Sequence, residues 1–281
     1  MAGIPQVEPV QWAWAGHVLV HCKIDVIALN DATVELYTMT GCLGMMYALV
    51  EVSNPRLSKA LHATSVVKPW SFSLLKMDTY QKTGEKGKYV VKKGTRGYWI
   101  VNTIDPGVRD ATISLMNSGA KLHFNRLELG IEKIEHHDLS YAGYPETGID
   151  TITVQLHSPT FFYEAATKRM VPFTSRAYID FQLRKLKDAG IVAGYSIDDI
   201  DPFIRVLRDD TTEKWLQVSS PGKPGIVSRK GKVGFVTFKL SGDDDARQIA
   251  WEIIHASQFT GIGSRTSMGF GHNSIKSFKD S

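Results

Sequence analysis

Three residues whose types can together cut a phosphodiester lie in one compact stretch of the chain: Tyr47, His62 and Lys68. An imidazole titrates near neutrality, so His62 can take or give a proton. The ammonium of Lys68 can offset negative charge that builds on a phosphorus centre. Applied to RNA, such a set works without a metal. A base removes the 2′-OH proton, the oxygen attacks the adjacent phosphorus, and an acid protonates the departing 5′-oxygen. Each residue also has a plain structural reading. Tyr47 on an apolar helical face can be a core tyrosine, His62 can serve the last carbonyls of a helix, and Lys68 can be a surface cation.

A second feature lies near the end of the chain, in the run Gly261-Ile262-Gly263-Ser264-Arg265-Thr266-Ser267-Met268-Gly269-Phe270-Gly271. Glycines permit positive φ and close approach to the main chain, and successive amides can form a nest for phosphate oxygens. Arg265 adds a fixed positive fork. No Lys-Ser or Lys-Thr follows, so this is not a P-loop. Too little chain remains for the helix and strand of a dinucleotide fold. The expectation is the lip of a binding cleft with RNA as ligand; a glycine-rich hairpin with no ligand is the alternative.

These residues need elements to hold them. Residues 18–29 read as a strand, and 41–52 place Leu43, Met46, Tyr47 and Val50 at helical spacing. Asn54-Pro55 suits a cap and first turn, which starts a second helix to about His62 and can set two helices side by side. Lys68-Pro69 ends it. Residues 70–77 and 88–103 read as strands joined by 81–87. Asp105-Pro106-Gly107 opens a helix to about residue 117, and 122–134 forms another strand. A polar linker is expected over 136–148. The pattern then restarts, with a strand at 151–158 and a helix at 175–189 stopped by Gly190. Strands at 203–218 and 232–240 are joined by a loop holding Gly222-Lys223-Pro224-Gly225 and Arg229-Lys230. Asp243-Asp244-Asp245 suits a helix N-terminus, and Ala246, Ile249, Ala250 and Ile253 form its apolar face. The class predicted is α+β: two tandem ferredoxin-like (RRM-like) βαββαβ domains, residues 1–140 and 141–281, with a cleft between them.

Composition narrows the field. Hydrophobic residues at 43% and charged residues at 22% fit an ordinary globular chain. A net charge of +4 is a mild bias that a polyanion partner would suit. Two cysteines, Cys22 and Cys42, make neither a disulfide framework nor a zinc knuckle. There is no signal segment and no apolar run near the ~20 residues that span a bilayer, so a cytoplasmic protein without membrane attachment is expected. His17, His21, His123 and His157 fall in strand-like runs, His136-His137 beside the linker, His255 on the last helix and His272 after the glycine loop. None shows zinc-ligand spacing. Asp198-Asp199 and Asp209-Asp210 read as solvated turns, so no metal or other cofactor is expected.

Taken together, the ending Gly-Ile-Gly, five residues, Gly-Phe-Gly, with Asn54-Pro55-Arg56-Leu57 through Leu61-His62 and then Lys68-Pro69-Trp70-Ser71-Phe72-Ser73-Leu74, resembles the CRISPR-associated endoribonucleases that process repeat RNA, the Cas-six family. The resemblance covers nearly the whole chain. It implies a metal-independent cut within each repeat of a precursor RNA, leaving 2′,3′-cyclic phosphate and 5′-hydroxyl ends. By position it makes His62 the general acid/base, Tyr47 its partner in proton transfer and Lys68 the transition-state cation. Gly261, Gly263, Ser264, Arg265, Gly269, Gly271, Arg229, Lys230 and Lys232 would bind RNA; Lys92 and Lys93 are candidate phosphate contacts whose plainer reading is an exposed charged face. The implied partners are precursor and processed repeat RNA and an interference complex that receives the product, the protein itself being a monomer or homodimer. Two alternatives keep the same fold: a repeat-RNA-binding subunit that does not cut, and a double-domain RNA-binding protein unrelated to CRISPR.

Overall fold

A computed structural model describes residues 18–35, 39–62, 68–85, 87–139, 148–164, 167, 169–192, 194–219, 226–264, 266 and 270–279. The first half begins with β1 (Leu19–Ala28), whose alternate residues Val20, Cys22, Ile24 and Val26 are buried. Helix α1 (Met39–Ser53) sends Cys42, Met45, Met46, Leu49 and Val50 into that core, which is the spacing of one helical face. Helix α2 (Pro55–His62) follows at once, and the Asn54 side chain accepts from the Leu57 amide at 2.9 Å. Strands β2 (Trp70–Phe72) and β3 (Arg96–Thr103) lead to α3 (Pro106–Ser118). Asp105 caps α3 by accepting from the Val108 amide, and Gly119 ends it at φ 61°. The hairpin β4 (Leu122–Phe124) and β5 (Leu127–Leu139) completes the sheet, in the order β2-β3-β1-β5-β4.

The second half repeats the plan. It comprises β6 (Thr151–Thr160), α4 (Ser175–Asp188), β7 (Ile204–Ser219), β8 (Ile226–Leu240), α5 (Asp244–Thr260) and β9 (Asn273–Lys279), with sheet order β7-β8-β6-β9. In each sheet the first and third strands of the repeat lie side by side at the centre. That is the antiparallel ferredoxin-like arrangement, twice over. Asp243 caps α5 by accepting from the Ala246 amide at 2.9 Å, and Gly190 follows α4 at φ 74°. Helix α5 joins the halves. The Gln258 carbonyl accepts from Asn102 Nδ2 at 2.7 Å and from Ser71 Oγ at 3.3 Å, so the second domain's last helix lies on the open face of the first sheet.

Several expected elements differ. The single strand expected over 88–103 is two: Tyr89–Val91 pairs with Ala32–Val34 in a separate small sheet, and β3 starts only at Arg96. Gly94, at φ 84°, turns the chain between them, while Asp31 holds the turn through the Lys93 amide and Lys92 Nζ, both at 2.8 Å. The strand expected over 122–134 is the hairpin β4–β5. Its two-residue turn rests on Asn125 at φ 56°, a conformation asparagine tolerates better than most residues. Arg229 and Lys230 were expected in a loop and instead lie in β8, opposite Leu216 and Trp215. Asp209 and Asp210 likewise belong to β7, and Asp198 and Asp199 to a short helix, Ile197–Ile200. His17, most of the expected linker, and Gly222-Lys223-Pro224-Gly225 lie outside the described residues.

Candidate nuclease site

Burying the α1 stripe leaves Tyr47 at its border, half-buried. From there the ring meets the edge of fully buried Trp70 at 5.9 Å and stacks face to face on the His62 imidazole, 3.7 Å between centroids and 18° between planes. The tight Asn54-Pro55 junction makes this possible by folding α2 back along α1. The Tyr47 hydroxyl donates to the Leu61 carbonyl at 3.2 Å, an acceptor in the last turn of α2 with no helical partner of its own. The phenol thus takes that carbonyl and supports the imidazole with its ring. His62 is left exposed to solvent, stacked on one side and open on the other. Burial raises the Tyr47 hydroxyl above the usual tyrosine range, which keeps it protonated as a donor. His255 and His272, by contrast, are pushed down to about 4 and about 3 by burial and are poor proton donors near neutrality.

Lys68 sits half-buried two residues before Trp70, and burial pulls its ammonium below the ordinary lysine value. The Pro69 carbonyl between them accepts from the Ile104 amide at 3.0 Å and Thr103 Oγ1 at 2.8 Å, which fixes where Lys68 leaves the sheet. The same segment reaches the glycine loop. Ser71 faces α5 beside Gly261, where an added Cβ would come within 3.2 Å of the Ser71 Cβ. Leu74 packs on the Phe161–Phe270 pair. Residues 68–74 therefore touch the Tyr47 side at one end and the loop at the other, a span of roughly 20 Å at ~3.3 Å per residue.

The described part of the glycine loop is folded inward. Gly261, Gly263 and Gly271 have φ of 72°, 79° and 66°. The Ile262 amide donates to the Gly271 carbonyl at 2.9 Å, Ser264 to Phe161 at 2.8 Å, Gly271 to Pro159 at 3.2 Å and Gly261 to Ser257 at 2.8 Å. Ser264 Oγ bonds the Tyr163 amide and carbonyl at 2.8 and 3.2 Å. These four amides, expected to form an anion nest, are used within the fold, and the glycines serve close approach. Arg265 and Gly269 lie outside the described residues. Lys232 pairs with Asp209, Lys230 with Glu213 at 2.9 Å and Lys92 with Asp31 at 2.8 Å. The Arg229 backbone stands in β8. Among the described residues no group of three or more His, Cys, Asp or Glu is placed to hold a metal ion, and no helix is long and apolar enough to cross a membrane.

Lys185 was not anticipated. It is buried on α4, and its Nζ donates to the Gly261 carbonyl at 2.6 Å, at the negative end of α5. The visible signal was its position three residues after Gln182, on the face that carries Leu186. Burial lowers its pKa to about 7, against 10.5 for a free lysine. From about pH 7 upward the unfolded chain therefore binds more protons at this site than the folded one, and the site's contribution to stability rises with pH. The rise should continue until the buried thiols, at 9.0 in the unfolded chain and about 12 here, begin to oppose it. Lys185→Met should remove a slope of up to about 1.4 kcal/mol per pH unit. Parallel urea titrations of both proteins across that window check it; identical slopes would count against a lysine neutralised by burial.

Residues 37–135, which include Tyr47, His62 and Lys68, match the family model described as CRISPR-associated protein Cas6, N-terminal. No curated protein matches by sequence. A Thermus thermophilus Cas6 in a product complex is similar with a TM-score of 0.66 at 17% identity, covering 92% of this chain and 100% of that one. An RAMP protein described as binding different RNA substrates gives 0.63 at 14%, covering 92% and 100%. A Cas6-related protein from Pyrococcus furiosus gives 0.63 at 12%, covering 92% and 98%. At these identities the likenesses speak for the fold, two ferredoxin-like domains in tandem. Across the segment that bears the candidate residues the chain is thus similar in sequence to CRISPR-associated Cas6 proteins, and across nearly all of its length it is similar to them in fold.

Proposed function

We propose that this protein is an endoribonuclease that cuts CRISPR precursor RNA within each repeat, without a metal, to release guide RNAs. The observation that carries this reading is the exposed His62 imidazole stacked on Tyr47, on the helix pair that precedes a half-buried lysine. The 2′-oxygen bonds to phosphorus as the P–O5′ bond breaks, leaving a 2′,3′-cyclic phosphate and a 5′-hydroxyl. One proton leaves the 2′-OH and one reaches the 5′-oxygen; His62 carries proton transfer. The Tyr47 ring holds the imidazole plane while its hydroxyl stays on Leu61. Lys68 offsets the charge gathering on the phosphoryl oxygens. Arg265, outside the described residues, is proposed to add a contact to RNA phosphate.

The test uses repeat RNA from the source genome. Cleavage in excess chelator should stay within about twofold of the untreated rate, and a single 2′-deoxy substitution before the scissile phosphate should block it by removing the attacking oxygen. Loss of activity in chelator moves the chemistry to a bound metal. RNA that is bound and never cut makes the protein a binding subunit instead.

A further inference from the structure

The hairpin β7–β8 outruns its sheet. Its strands stay paired from Ile204↔Leu240 to Ser219↔Ile226, whereas β6 leaves β8 at Thr160↔Lys232. Residues 213–219 and 226–231 therefore project as a two-stranded ribbon, roughly 20 Å long at ~3.4 Å per residue. On it stands Trp215, 64% exposed, more than any other large hydrophobic side chain among the described residues. Lys230 lies directly across the ladder, its Nζ 5.1 Å from the indole centroid. Residues 208–232 hold six Lys or Arg against three Asp or Glu, in a chain whose net charge is only +4. That stretch of sequence therefore carries a local excess of positive charge, and Lys230 sets part of it against the open indole.

An aromatic face beside a cation suits a nucleobase and its phosphate, because every base offers a π-face and stacking tolerates sequence. The Lys230–Glu213 pair is exposed on both sides. Such pairs hold weakly in water, so the ammonium can exchange the carboxylate for a phosphate. Strand β7 also approaches α1, the helix that carries Tyr47. We infer that Trp215 stacks on an unpaired base of the bound RNA outside the scissile step, with Lys230 on the neighbouring phosphate. The identity of the ligand rests on the endoribonuclease reading above; the ribbon's part in holding it does not depend on which residue performs the cut.

Fluorescence anisotropy of the full chain with repeat RNA, carrying a 2′-deoxy nucleotide at the cleavage position, tests this. Trp215→Ala should weaken binding about tenfold, the loss expected of one stacked base, while Trp215→Phe stays within about threefold of wild type. Lys230→Gln should lower the slope of log affinity against log salt by about 0.7, one single-strand phosphate contact. Wild-type protein that binds no repeat RNA overturns the nuclease reading itself. Wild-type binding that Trp215→Ala leaves within twofold overturns only the ribbon's role. The same loss on a fully paired duplex excludes an unpaired base. A dimer in sedimentation that Trp215→Ala dissolves, with RNA affinity unchanged, gives the indole to self-association instead.

Discussion

His62→Ala should slow cleavage of repeat RNA by about a thousandfold while RNA binding changes little. A positioned acid or base contributes about 10²- to 10⁴-fold, and no other group in the Tyr47 stack can take over. The Leu61 carbonyl, one of the last helical acceptors that His62 could serve, is already taken by Tyr47. The imidazole is exposed, so its loss forfeits little more than one ring–ring contact, about 0.5–1.5 kcal/mol. The fold should therefore survive, and a single-turnover assay at saturating RNA reads the chemistry alone. A variant that cuts at the wild-type rate removes His62 from the mechanism. Tyr47→Phe is the useful companion, because it keeps the stack and frees the Leu61 carbonyl; a modest slowing there separates support of the ring from proton transfer.

The largest effect on stability is expected at Gly271. Its φ of 66° costs an L-residue about 1–2 kcal/mol. An added Cβ would also lie 1.8 Å from the Ile262 carbonyl oxygen, a main-chain atom that cannot rotate away. The bond from the Ile262 amide to the Gly271 carbonyl would have to open, at about another 1 kcal/mol. Gly271→Ala should thus lose about 3–5 kcal/mol in urea unfolding. Gly119 is the control: its φ is 61° with nothing within 4 Å of a Cβ, so Gly119→Ala should cost only about 1 kcal/mol. Equal losses at the two positions would mean that the chain around Ile262 does not cross Gly271 this closely. The comparison also bears on function. A bulky residue at Gly261, Gly263 or Gly271 would lower RNA binding by unfolding the loop, so loss of affinity there is not evidence of contact.

What residues four or fewer apart decide was legible from the chain alone. The helix over 41–52, the caps at Asn54, Asp105 and Asp243, and the stop at Gly190 all depend on groups within one turn of each other; the buried face of α1 differs from the expected one, with Cys42, Met45 and Leu49 in the core and Leu43 and Tyr47 at its border. The repeat of strand, helix and hairpin in each half followed from these local groups. So did the meeting of Tyr47 with His62, because the Asn54-Pro55 turn is itself local. Tertiary structure decided what depends on distant partners. The residues of 88–103 suit a strand throughout, yet Asp31 and the strand Ala32–Val34 draw away the first part. Arg229 and Lys230 sit beside turn-rich sequence, yet pairing with β7 makes them strand. The glycine run reads as an anion nest when only its own amides are counted; Pro159 and Phe161 supply acceptors for those amides from elsewhere in the fold. A lysine in a helix reads as surface until the neighbouring helix end places a carbonyl over it. In each case a hydrogen-bonding group had one local option and one distant one, and burial against the rest of the molecule selected the distant one.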